Sequence, residues 1–122
     1  MADGPSSEVK LKTGHVLFID IVGYSRFRDS KQRELFERLN EVVRGTGQVQ
    51  AAEAAEKLIR LPTGDGMALA FFSNVDAPVR CAQEISRKAV DLPELRLRMG
   101  CLTHPIRNRG RLTMAQPSRR SI

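Results

Sequence analysis

The chain has 122 residues, enough for one small domain and too few for two. It is 41% hydrophobic, with five Phe, one Tyr and no Trp, and no run of about 18 apolar residues occurs, which excludes a membrane-spanning helix. The formal charge of +6 is unevenly spread: residues 1–101 hold 15 Lys/Arg against 14 Asp/Glu, whereas residues 102–122 hold five Arg and no acid.

The basicity therefore belongs to the end of the chain and not to a face of the folded body, which argues against a specific nucleic-acid partner. Met1 to Thr13 is polar and charged and lacks the apolar stretch of a secretory signal. Cys81 and Cys101 have no metal-ligand spacing and read as free thiols of a cytoplasmic protein.

In chain order, Gly14 to Asp20 reads as a strand. Its continuous apolar run Val16-Leu-Phe-Ile19 suits a central strand covered on both faces. Gly23 breaks it. Leu35, Leu39, Val42 and Val43 recur at helical spacing with charged residues between them, and Asp29 or Ser30 is the expected cap. Gly45 and Gly47 end that helix, and Ala51 to Glu56 reads as a further turn or two. Lys57–Leu61 and Met67–Phe72 form a hairpin about the turn Pro62-Thr-Gly-Asp-Gly66, since Gly64 and Gly66 tolerate positive φ. Asn74 or Asp76 is the expected cap of the next helix, with Pro78 in its first turn and an apolar stripe of Val79, Ala82, Ile85 and Ala89. Leu95, Leu97, Met99 and Cys101 alternate with Arg96, Arg98 and Gly100 as a half-buried strand. After Cys101 the apolar periodicity stops.

The order strand, helix, strand, strand, helix, strand predicts an α+β fold of the ferredoxin-like βαββαβ type. The expected organisation is a disordered leader 1–12, one domain 13–102 and a disordered basic tail 103–122.

Two acids stand out. Asp20 ends a buried strand, where a carboxylate is costly unless something pairs with it. Asp65 sits at the tip of a glycine-flanked hairpin. If their strands are neighbours, the two carboxylates repel unless a cation lies between them, and Mg²⁺ suits carboxylate and phosphate oxygens. Taken singly, Asp20 can cap the following turn and Asp65 is an ordinary turn residue. Ile21-Val-Gly-Tyr-Ser25 leads from the strand into a helix, where backbone amides can cradle phosphate.

Together these segments are more specific. Phe18-Ile-Asp-Ile-Val-Gly-Tyr-Ser25 resembles the first metal motif of class III adenylate/guanylate cyclases, and Leu61-Pro-Thr-Gly-Asp-Gly-Met67 resembles the second. Leu95-Arg-Leu-Arg-Met-Gly100 is similar to the family's next strand. The resemblance covers residues 13–102, about half of a complete cyclase domain.

The resemblance implies that Asp20, Asp65 and the backbone carbonyl of Ile21 hold two Mg²⁺ or Mn²⁺ ions, with Asp20 and Asp65 as the catalytic carboxylates. Gly23, Tyr24 and Ser25 contact the substrate phosphates, chiefly through backbone N–H groups. The implied reaction converts ATP or GTP, ATP first, to the 3′,5′-cyclic nucleotide and pyrophosphate. Leu61 stands where many adenylate cyclases carry a purine-reading Lys. The family's Asn and Arg for the transition state, its phosphate Lys and its second purine reader fall outside the matching segment. The chain is therefore expected to be inactive alone, with a homodimer or a full-length cyclase as partner. The alternative is a non-catalytic interaction module that pairs with such a cyclase.

Overall fold

The computed structural model of the chain describes residues 10–108, 112 and 113. The elements are β1 (Lys10–Ile21), a 3₁₀ turn (Tyr24–Arg26), α1 (Asp29–Arg44), α2 (Gly47–Ala54), β2 (Leu58–Pro62), β3 (Gly66–Phe71), α3 (Ala77–Ala89), β4 (Leu97–Asn108) and β5 (Leu112–Thr113). They form one antiparallel sheet in the order β2-β3-β1-β4-β5. The first four strands with their helices are the ferredoxin-like arrangement: the hairpin partner β3 sits between β1 and β2. No helix among the described residues is long and apolar enough to cross a membrane.

β1 is central, and its period-two alternation divides the core. Leu17, Ile19 and Ile21 face the helices and are buried with Leu35, Leu39 and Val43 of α1, Val49 of α2 and Ile85 of α3. Val16 and Phe18 face the other way, into a second cluster with Ala68, Ala70 and Ile106. Each fully buried Leu or Ile contributes about 1.5–3 kcal/mol over its exposed state, so both clusters matter to stability. The apolar run seen in the sequence is thus a strand buried on both faces.

Several local expectations change. α1 has Arg28 at its N-cap and no side-chain cap; Asp29 lies in the first turn, where its charge favours the helix dipole. α2 begins at Gly47, directly after Gly45 and Thr46, because the Thr46 hydroxyl accepts from the Val49 N–H at 3.2 Å. Glu84 of α3 also accepts from the N–H groups of Gly47 and Gln48, each at 3.2 Å. Asp76 holds the N-cap position of α3 without a side-chain cap bond, and Pro78 follows in the first turn.

The largest correction concerns the end of the domain. Residues 103–108 are not disordered: β4 runs on to Asn108, and β1 starts at Lys10 to pair with it, Lys10 opposite Asn108 and Lys12 opposite Ile106. Two strands extended together satisfy each other's backbone groups, which outweighs the charged composition of either. Ile106 is fully buried. The rest of the expected leader, residues 1–9, and of the expected tail, residues 109–111 and 114–122, lies outside the described residues.

Candidate functional site

β1 carries Asp20 to the end of the sheet where β3 begins. Asp20 stands opposite Gly66 in the β1–β3 register. The Ile21 N–H donates to the Asp65 carbonyl at 2.8 Å. Asp20 and Asp65 therefore sit at one end of adjacent strands, locked by a backbone hydrogen bond and not by loop packing. Asp20 is 8% exposed and Asp65 is exposed, so one carboxylate is buried and the other faces solvent.

The close approach explains Gly66. Its φ is not left-handed, so the tolerance of glycine for positive φ is not what the position uses; among the described residues the positive-φ glycine is Gly23, at 75°. A Cβ at Gly66 would overlap the Ile19 carbonyl oxygen and lie 2.9 Å from Asp20 Cα. Glycine is there because the two strands nearly touch. Gly64, two positions earlier, has open space around it.

Gly23 turns the chain out of β1 into the 3₁₀ turn Tyr24–Arg26. The Val22 N–H donates to the Arg96 carbonyl at 2.8 Å, and the Arg26 N–H to the Gly23 carbonyl at 2.9 Å. The N–H groups between them, of Gly23, Tyr24 and Ser25, donate to no backbone acceptor among the described residues. Tyr24 packs against the helix-side core, and its carbonyl accepts from the Gln32 side-chain amide at 2.8 Å. The Ile21 side chain is likewise in that core, 2% exposed.

One residue escaped sequence reasoning. Arg98 of β4 is directly opposite Asp20, and directly opposed residues of antiparallel strands point to the same face. The alternation of Leu97, Arg98 and Met99 marks Arg98 as polar, but the register that sets it beside Asp20 cannot be read from one strand. Thr63, in the β2–β3 turn, has a buried hydroxyl with no hydrogen-bond partner.

His15 and His104 are not part of this end of the sheet. His15 Nδ1 is 3.0 Å from Thr103 Oγ1, and His104 stands opposite Gly14 within β4. Cys81 is fully buried beside Thr46, Sγ to Oγ1 3.7 Å, and burial pushes its thiol up to about 12. Burial also raises the Cys101 thiol. A thiol is nucleophilic only as thiolate, so at pH 8 a disulfide reagent should label half-buried Cys101 first and Cys81 only in urea. Equal native-state labelling of both would contradict this assignment.

No family model matches the chain, and no curated protein matches it. Among solved structures it is similar to the crystal structure of an adenylate/guanylate cyclase/hydrolase from Silicibacter pomeroyi, with a TM-score of 0.60 and 24% sequence identity over 88% of this chain. The chain spans 66% of the length of that protein's chain. At this identity the likeness is one of fold: the protein has a cyclase-like α+β fold.

Proposed function

We propose that the chain supplies the two-carboxylate side of a nucleotidyl cyclase-type site in a cytoplasmic protein, acting on ATP or GTP. The observation that carries this reading is the backbone lock between Asp65 and Ile21 at the buried end of β1. It brings Asp20 and Asp65, the two acids of the cyclase-like motifs, to one end of neighbouring strands.

Among the described residues no group of three or more His, Cys, Asp or Glu side chains could hold a metal ion. The donor set is two carboxylates plus the backbone carbonyl of Ile21. It fits a hard cation that takes its remaining oxygens from substrate phosphates and water, as Mg²⁺ does and dedicated protein cages do not require. When bound, a pair of such ions activates a ribose 3′-hydroxyl and neutralises the triphosphate.

The chain's own residues have separate tasks in this reading. Asp20, desolvated at the strand end, and Asp65, at the hairpin tip, hold the ions. The N–H groups of Gly23, Tyr24 and Ser25 face the phosphates, as amides entering a helical turn do. Arg98, across from Asp20, offers a permanent positive charge to the same anionic substrate. The alternative is an interaction module pairing with a full-length cyclase, and the same experiment separates the two.

Mn²⁺ should raise the melting temperature of the chain, and Asp20→Asn should lose the response. A ligand that binds only the folded state stabilises it by about 2.7 kcal/mol at a hundredfold excess over its dissociation constant. Cyclic nucleotide should then appear when the chain is mixed with a cyclase whose own metal aspartates are mutated. If saturating Mn²⁺ leaves the melting temperature unchanged, the metal reading fails. Complex formation without product would favour the interaction module.

A further inference from the structure

Gln32 stands in the first turn of α1, and its N–H donates to the Arg28 carbonyl at 2.8 Å. Its side chain reaches back to the turn that leaves β1. The amide donates to the Tyr24 carbonyl at 2.8 Å, in partly buried surroundings. The same carbonyl takes the Phe27 N–H at the longer distance of 3.2 Å. Among the described residues no other side chain donates to the turn 23–26. Lys31, the residue before Gln32, lies 2.6 Å from Glu94. The helix end from which Gln32 reaches is thus itself tied to the loop that enters β4.

We infer that Gln32 is a positioning residue for the phosphate-facing amides of this turn, an inference that rests on the cyclase-type reading above. A trans peptide unit is planar, and its C=O and the next N–H point opposite ways. Whatever fixes the Tyr24 carbonyl therefore fixes the Ser25 N–H. Gln32 draws that carbonyl toward α1. The Ser25 N–H, which makes no hydrogen bond among the described residues, is turned away from the helix. The preceding unit is set by the Arg26 N–H on the Gly23 carbonyl at 2.9 Å, which orients the Tyr24 N–H. That second constraint belongs to the turn itself; the first comes from a side chain and can be removed by substitution.

A donor that is already aimed needs no reordering when an anion arrives. A turn released from Gln32 has to be ordered by the ligand, which weakens binding. Asp20 and Asp65 are held differently, by the pairing of β1 with β3 and the bond from the Ile21 N–H to the Asp65 carbonyl. Gln32 therefore acts on phosphate affinity and leaves cation affinity unchanged, which separates its role from a general loosening of the fold.

The test uses Gln32→Met, which keeps the length and removes the donor, and Gln32→Glu, which keeps the shape and cannot donate at neutral pH. Each variant should show the same rise of melting temperature with Mn²⁺ as the unmodified chain. In calorimetric titration at saturating Mn²⁺, each should bind ATP about three- to tenfold more weakly, the size of one lost neutral hydrogen bond. In the metal-free protein the NMR order parameter of the Ser25 N–H should fall from about 0.85 to below about 0.6, while those of β1 stay unchanged. Unchanged ATP affinity in Gln32→Met, or a Ser25 N–H that stays rigid, overturns the inference and leaves the cyclase-type reading standing. Equal losses of Mn²⁺ response and ATP affinity overturn it too, since Gln32 would then act on the whole domain. An unmodified chain that responds neither to Mn²⁺ nor to ATP overturns the reading, and the inference with it.

Discussion

Gly66→Ala should cost most of the stability of the domain, whereas Gly64→Ala in the same turn should shift it by no more than about 0.5 kcal/mol, the usual limit for a surface change. The difference lies in what a methyl group would meet. At Gly64 there is nothing within 4 Å. At Gly66 the added carbon would overlap the Ile19 carbonyl oxygen and lie 2.7 Å from the carbon that bears it. These are backbone atoms of a neighbouring strand, so no rotamer change relieves the clash. Only separation of β1 from β3 does, and that breaks the bond from the Ile21 N–H to the Asp65 carbonyl. A cost above about 4 kcal/mol is expected, a large share of the roughly 5–15 kcal/mol that holds a small domain together. Urea titration followed by circular dichroism checks it. A Gly66→Ala transition within 1 kcal/mol of the unmodified chain would show that the strands are not this close.

The second large effect belongs to Ile106. Ile106→Ala should cost about 2–5 kcal/mol and Ile106→Val about 0.5–1.5 kcal/mol, the ranges for removing buried carbons from a core that relaxes only in part. Ile106 is fully buried, packed with Val16, Phe18, Ala68 and Ala70 on the sheet face opposite the helices. A chain ending at Leu102 loses Ile106 together with the pairing of β4 residues 103–108 to the start of β1, and should melt without a cooperative transition. Full tolerance of Ile106→Ala, or of the shortened chain, would return this segment to the status its composition suggests.

That segment shows where sequence reading stops. Val16 to Ile19 was legible because a strand buried on both faces must be apolar throughout. The α1 stripe was legible because Leu35, Leu39, Val42 and Val43 are all buried, as their spacing requires. The last half of β4 hid behind Pro105, Arg107 and a single apolar residue. Its burial depends on Gly14, whose missing side chain leaves room that Ile106 fills, and such a pairing across the sheet has no signature in either strand. The same holds at the site. The motifs singled out Asp20 and Asp65, which the fold sets at one end of adjacent strands, and Gly23 was legible as the break after β1. Arg98 was not, because its place beside Asp20 follows from a register. Gly66 was singled out for the wrong reason, since turn chemistry is local and the approach of a third strand is not.

The central position of β1 has a consequence for how the chain is made. Leu17 is opposite Cys101, 84 positions later. At roughly 5–20 residues per second of synthesis, the run Val16-Leu-Phe-Ile19 leaves the ribosome about 4–17 s before its last neighbour exists. The β2–β3 hairpin closes locally and can cover one edge of β1 sooner; the other edge waits for nearly the whole chain. During that interval an uncharged, β-prone segment stands unprotected, the composition most prone to self-association. Yield in cells should therefore respond to translation speed and chaperone supply more than the melting temperature of the finished domain would suggest.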